Sequence, residues 1–319
     1  MLPVTRSRAI ALLVACLVLA GCASGASPSA GSLAPTTAPS TVSSSTPGSG
    51  AIAYATGPTD LVVRASSGGG LLPPRMRLTQ MPDVSIYGNG HIVQVGAHGS
   101  APADPLLPGL AESRISSDGL VRILGAARDA GLLGEDRRYE LPDVYDLWSV
   151  TFTVTADGRT HSTWVYALGF SDELRFAPPA DHAARKVLGA LYGQLLDLRA
   201  WLGPDLVGEA TPYTPAALRM YLAPVVEQAL PGQPTPPPVT PRPGQDVRAW
   251  PLGSPPGAFG VAAGKHWNGW RCAVLTWDAA APFGLATATH DTRWRAGDQL
   301  YELVIRPLLP EESGCPDLG

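Results

Sequence analysis

An α+β fold is predicted for the larger, N-terminal part of this 319-residue chain on three observations. Residues 84–95 and 148–166 read as two antiparallel hairpins, folded at Asn89-Gly90 and Asp157-Gly158. One short and one long helix are marked by apolar residues at helical spacing. Beyond them, a smaller strand-containing region carries Cys272 and Cys315, the pair expected to tie it.

The elements follow in order. Residues 60–65 are a short strand. In 84–95 the alternating apolar residues flank Asn89-Gly90, expected to supply the positive φ angles of the turn. Ser116 is the expected N-cap of the short helix, with Leu120, Ile123, Leu124 and Ala127 as its inward stripe and Gly131 as its stop. Trp148-Ser-Val-Thr-Phe-Thr-Val-Thr155 alternates strictly, giving one apolar and one hydroxyl face, and Asp157-Gly158 returns it into residues 160–166. The long helix, about 180–202, places Val187, Leu188, Leu191, Leu195, Leu198 and Leu202 on one face. Further strands are expected at 218–222, 270–277 and 299–306, with short helical structure between 278 and 288. Residues 231–245 are a proline-rich connector and not a core element.

Four segments are therefore expected: 1–21, a leader; 22–57, a tether; 58–208, the α+β domain; and 209–319, the C-terminal region. The leader rests on Arg6 and Arg8, then an apolar run over 9–19 that is too short to span a bilayer permanently. The sequence Leu19-Ala20-Gly21-Cys22 resembles the lipobox of bacterial lipoproteins. That resemblance implies cleavage before Cys22 and a diacylglycerol on its thiol, so that the chain is anchored to the cell membrane and faces the extracytoplasmic side. An ordinary secretory signal or a membrane anchor is the alternative. Residues 23–57 are mostly Ser, Pro, Thr, Gly and Ala with no charge before Asp60, a composition expected of a flexible tether. Cys16 leaves with the leader and Cys22 takes lipid, so in an oxidising compartment Cys272 and Cys315 are most simply a disulfide.

Composition bounds the partners. Hydrophobic residues make up 45% and charged ones 16%, which suits a sizeable core. Lysine occurs only as Lys186 and Lys265, and the remaining basic residues are arginine. The formal charge of −4 becomes −6 when Arg6 and Arg8 depart. A mildly acidic chain without a basic stripe gives no footprint for nucleic acid.

Gly68-Gly-Gly70 is followed by Leu71-Leu72-Pro73-Pro74 and by no Lys-Ser/Thr pair, so it is not a phosphate loop. A loop joining two strands is expected instead. The six histidines are scattered, and neither Cys272 nor Cys315 has a second ligand at metal spacing, so no metal or cofactor is expected. No Gly-x-Ser-x-Gly, Ser-x-x-Lys or His-Glu-x-x-His motif is present. Asp143 and Asp146 are the carboxylates that would serve a hydrolase, or else they orient the loop before Trp148 by accepting from backbone amides. Five of the eight tryptophans fall between Trp250 and Trp294. Trp267 and Trp270, around a polar turn, would stack on sugar rings or anchor a protein, or else fill a disulfide-tied core.

The lipobox, Ser66-Ser-Gly-Gly-Gly70, Ser85-Ile-Tyr-Gly-Asn-Gly90, Ala127-Arg-Asp-Ala-Gly-Leu-Leu133, Thr151-Phe-Thr-Val-Thr-Ala-Asp-Gly158 and Arg306-Pro-Leu-Leu-Pro310 together resemble a family of uncharacterised bacterial lipoproteins. The order from Ser66-Ser-Gly-Gly-Gly70 through the Leu120 helix to the Asp-Gly hairpin is also similar to emfourin-type modules, with residues of about 71–110 inserted. Those are small α+β domains that include metalloprotease inhibitors. The resulting expectation is a non-catalytic binding or scaffolding module, its partner an envelope protein or wall glycan. A protease inhibitor and a wall-active hydrolase are the alternatives.

Overall fold

The structure, a computed structural model, describes residues 51–96, 104–226, 239–265, 267 and 269–318, all within one compact unit. The leader, Cys22, the tether as far as residue 50 and residues 231–238 of the proline-rich connector lie outside the described residues. No helix among the described residues is long and apolar enough to cross a membrane.

The fold class is α+β, built on two sheets. In chain order come β1 (Leu61–Gly69), α1 (Pro74–Thr79), β2 (Val84–Tyr87), β3 (His91–Val95), β4 (Leu110–Arg114), α2 (Ser117–Asp129) and β5 (Arg137–Tyr139). Then follow β6 (Trp148–Ala156), β7 (Arg159–Tyr166), α3 (Glu173–Phe176), α4 (His182–Leu196), α5 (Leu198–Leu202), β8 (Thr211–Pro212) and β9 (Ala217–Pro224). The chain ends with β10 (Val247–Ala249), β11 (Val261–Ala262), β12 (Arg271–Thr276), α6 (Trp277–Ala280), β13 (Arg293–Ala296) and β14 (Gln299–Pro307). The first sheet runs β5-β7-β6-β1-β2-β3-β4-β8 and the second β10-β13-β14-β9-β12-β11. The long central strands β1, β6, β9 and β14 have eight or nine residues, whereas all four edge strands have two or three.

Local chemistry explains most boundaries. Ser116 Oγ accepts from the Gly119 amide at 3.2 Å, capping α2, and Leu120, Ile123, Leu124 and Ala127 are buried as their spacing requires. Gly131 follows at φ +80°, the left-handed exit of a helix. Asp157 and Gly158 both have positive φ, as a tight hairpin needs.

Five expectations are corrected. The β2–β3 connection has three residues and only Gly90, at φ +80°, takes the left-handed conformation; Asn89 does not. The chain after Gly70 enters α1 rather than a second strand, because Pro74 sits in the first turn, where its missing N–H is no loss. The long helix breaks at Asp197, which leaves helical geometry and caps α5 by accepting from the Ala200 amide at 3.1 Å. Val187 is exposed, since it falls off the stripe formed by Leu188, Leu191 and Leu195. The tether expected to reach residue 57 ends earlier: Ile52 and Tyr54 pack against the core, and Ala53 exchanges hydrogen bonds of 2.8 and 2.7 Å with Asp157.

The two sheets exchange segments. Leu106, preceding β4, is fully buried in the core of the second sheet, and its amide donates to Ala288 O at 3.0 Å. In return, the tail after β14 crosses the outer face of the first sheet, where Leu309 packs against Tyr87, Val93 and Leu110. Glu311 pairs with Arg64 and accepts from Tyr87 Oη at 2.6 Å. Glu312 pairs with Arg306 and accepts from the Leu309 amide at 3.1 Å. Burial alone would raise the Glu312 carboxyl, but the Arg306 guanidinium outweighs it and holds the group below 4.5. The Cys272–Cys315 disulfide, Cα atoms 6.0 Å apart, closes a 43-residue separation and fastens the end of this tail to β12.

Inside the first sheet, Tyr192 Oη donates to Asp83 at 3.0 Å, and Asp83 also accepts from the amide and hydroxyl of Ser67. Burial, and then the Asp83 charge, push the Tyr192 phenol from 10.0 up to about 12. Tyr213 is pushed to about 12 as well, by burial and then by Glu112. A group raised in the folded state contributes stability that is fully present below its unfolded value and is lost as pH climbs through the folded value. The urea midpoint is therefore expected to hold steady up to pH 10 with respect to these tyrosines and to drop between pH 10 and about 12. Tyr192→Phe is expected to make that drop shallower, as followed by circular dichroism beside phenolate absorbance.

Candidate functional site

The residues singled out in the sequence separate into an interior and a surface. Trp267 and Trp270 meet edge to face, centroids 5.2 Å apart, and pack against Tyr221, Ala263, Cys272 and Val304 around the disulfide. Both are half-buried. Trp250 and Trp294 join Phe259 and Phe283 in a second set of edge contacts, and Trp294 is buried. Of the five clustered tryptophans, only Trp277 is exposed. Apart from Trp277, the clustered tryptophans pack against the apolar residues of the second sheet.

Asp143 and Asp146 are exposed, and both occupy left-handed backbone, φ 63° and 60°. Aspartate tolerates that region better than most residues. Their carboxylates make no hydrogen bond or ion pair within the described residues, so they do not brace the loop through backbone amides as expected. Leu147 donates instead to the phenol oxygen of Tyr166 at 2.9 Å, which pins the loop from the neighbouring strand. The two carboxylates stand on the rim of an open cleft of about 460 Å³, together with Arg138, Glu140, Tyr145, Trp164 and Tyr166.

The cleft follows from strand alternation. In β7, His161, Thr163 and Val165 are buried, so Ser162, Trp164 and Tyr166 point to the opposite, outer face. The Trp164 and Tyr166 rings lie nearly parallel, 16° apart with centroids separated by 5.8 Å. β5 pairs in parallel with β7 and sets Arg138 beside Trp164, with the guanidinium 3.6 Å from the ring centroid. Arg138 also pairs with Glu140. Glu140, Asp143 and Asp146 against Arg138 leave the cleft acidic.

Underneath runs a buried rivet. Arg185, in α4, is fully buried and donates to Glu173 Oε1 at 2.8 Å, to Tyr166 O at 3.0 Å and to Glu140 O at 2.8 Å. Its Nε has no hydrogen-bond partner among the described residues. One guanidinium thus joins the ends of β5 and β7 that carry the cleft.

The same outer face continues across the sheet. Thr151 lies opposite Trp164, and Ser149 opposite Tyr166. Ser66 lies opposite Thr151, and Gly68 opposite Ser149. Here a second cleft of about 340 Å³ opens among Ser66, Gly68, Gln80, Ser149, Thr151 and Arg306. A Cβ at Gly68 would come within 2.9 Å of Gln80 Nε2, so glycine lets that amide stand against the strand. Ser149 Oγ donates to Gly68 O at 3.0 Å. The glycine-rich stretch is thus part of the site as a floor and not as a phosphate cradle.

Sequence reasoning missed Trp164, Tyr166 and Arg185. The first two were legible in His161-Ser-Thr-Trp-Val-Tyr166, where alternation places both on the hydroxyl face; Arg185 was legible as an arginine one turn before Leu188 on the buried stripe. Three histidines serve the fold: His161 Nδ1 lies 2.7 Å from Gly134 O, His182 Nε2 lies 3.0 Å from Ala177 O, and His91 pairs with Glu112. No group of three His, Cys, Asp or Glu placed to hold a metal is present among the described residues. Comparison of the chain with protein-family models, with curated proteins and with solved structures finds no match.

Proposed function

We propose that the chain is a non-catalytic binding module of the cell envelope, anchored through diacylglycerol on Cys22 and facing the extracytoplasmic side. The observation that carries the binding role is the open outer face of the first sheet, where two clefts lie side by side among rings, hydroxyls and unpaired carboxylates. The anchor rests on the leader and Leu19-Ala20-Gly21-Cys22, and the disulfide suits an oxidising compartment. Ser, Pro, Thr and Gly before residue 51 would give the anchored face reach.

The test uses the full chain expressed with its leader. A radiolabelled fatty acid is expected to enter the wild type and not Cys22→Ala, and only the wild type should stay with membranes after a salt wash. Wild-type protein in detergent is expected to sediment with stripped wall and envelope fragments, and Trp164→Ala/Tyr166→Ala to remain in the supernatant. Equal sedimentation of both would remove the face from the proposal. Wall fragments degraded by the wild type but not by Asp143→Asn would replace binding with hydrolysis.

A further inference from the structure

Resting on that reading, we infer that the outer face of β1, β6, β7 and β5 takes an extended polysaccharide strand built of neutral or amine-bearing sugars. Four adjacent strands set about 4.8 Å apart place roughly 14 Å between the Ser66 and Arg138 positions, more than one sugar ring spans. The face matches the two kinds of surface a sugar offers. Ser66, Ser149, Thr151 and the Gln80 amide present neutral donors and acceptors to hydroxyl edges. Trp164 and Tyr166, both half-buried, offer to the C–H faces the ring surface that Arg138 leaves open; its guanidinium lies over the Trp164 ring on a side chain that is itself 63% exposed.

Charge selects among polysaccharides. Glu140, Asp143 and Asp146 outnumber Arg138 at the aromatic end. At the other end Arg64 and Arg306 are already engaged by Glu311 and Glu312. An anionic polymer would meet like charge without a free guanidinium to offset it. A protein partner is disfavoured, because an interface centre is apolar and desolvated, whereas the middle of this face is serine, threonine and glycine.

Calorimetric titration of the full chain in detergent tests the inference, with linear tetramers of N-acetylglucosamine, of glucosamine and of galacturonate as probes. The first two are expected to bind and the third not. The corresponding dimers are expected to bind more weakly than the tetramers, since they cannot reach both clefts. Trp164→Ala/Tyr166→Ala should weaken tetramer binding at least about tenfold, the scale of losing one good ring contact. Asp143→Asn/Asp146→Asn, confined to an exposed loop and able to keep left-handed backbone, should bring the galacturonate tetramer to measurable affinity and weaken the glucosamine tetramer, whose ammonium groups lose two carboxylates. Cys22→Ala should titrate like the wild type. Absence of saturable binding by both uncharged and amine tetramers overturns the inference, as does binding indifferent to Trp164 and Tyr166. If wall sedimentation still depends on those rings while the tetramers fail, the binding module stands with a different ligand; if both fail, the face has no binding role.

Discussion

Arg185→Met is expected to lower the unfolding free energy by about 3–5 kcal/mol, the cost typical of leaving one member of a buried ion pair alone. The side chain has no exposed surface, and Glu173 beneath it is 11% exposed, so water cannot take over the lost partner. Two main-chain carbonyls, of Tyr166 and Glu140, lose their donor in the same step. Methionine fills similar volume, which separates the electrostatic loss from a cavity. Urea titration should show a lower midpoint with an unchanged slope. Adding Glu173→Gln removes the stranded charge and should restore part of the loss, leaving the share due to the two carbonyls. A single-variant loss below about 1 kcal/mol would place the guanidinium among dispensable surface pairs.

The second large effect is expected from Cys272→Ser/Cys315→Ser. Chain entropy for a 43-residue separation assigns the cross-link about 4 kcal/mol. The loss should appear as a lower thermal midpoint, and the wild type with reductant should approach the same value. Hydrogen exchange should rise first over residues 308–315 and at β2, because the tail is the segment whose end the bond fixes. Its other fastenings include the pairs of Glu311 with Arg64 and Glu312 with Arg306, and the hydrogen bonds from Arg219 to Gly314 O at 2.8 Å and from Tyr213 to Leu308 O at 3.1 Å. A variant as stable as the wild type would mean that these non-covalent contacts, with Leu309, suffice.

What the sequence made legible was whatever a local rule governs. Ser116 and Gly131 bound α2 through capping chemistry, Asp157-Gly158 turned β6 into β7, and alternation in β6 separated buried Val150, Phe152 and Val154 from the hydroxyl face. What stayed hidden was contact between distant segments. β5 has only three residues, two of them arginine, and becomes a strand because β7 offers it a partner. Nothing within the tail announces that Glu311 will meet Arg64 and Tyr87, since that pairing depends on where β14 ends. The tryptophans stayed ambiguous for a related reason: a ring beside a polar turn reads the same whether a disulfide or solvent faces it. The candidate site was half visible, with Asp143 and Asp146 named but the rings between them and the sheet overlooked.

The lengths of the strands have a consequence for crowding. A sheet edge is a row of unpaired amides and carbonyls that another copy can extend. Here β5, β8, β10 and β11 offer two or three residues each, while the long strands lie inside the sheets with a neighbour on either side. Copies confined side by side on a surface would collide edge to edge far more often than in dilute solution. With edges this short, such collisions have too few backbone groups to begin a continuous ladder, and the molecules can stay separate at high local density.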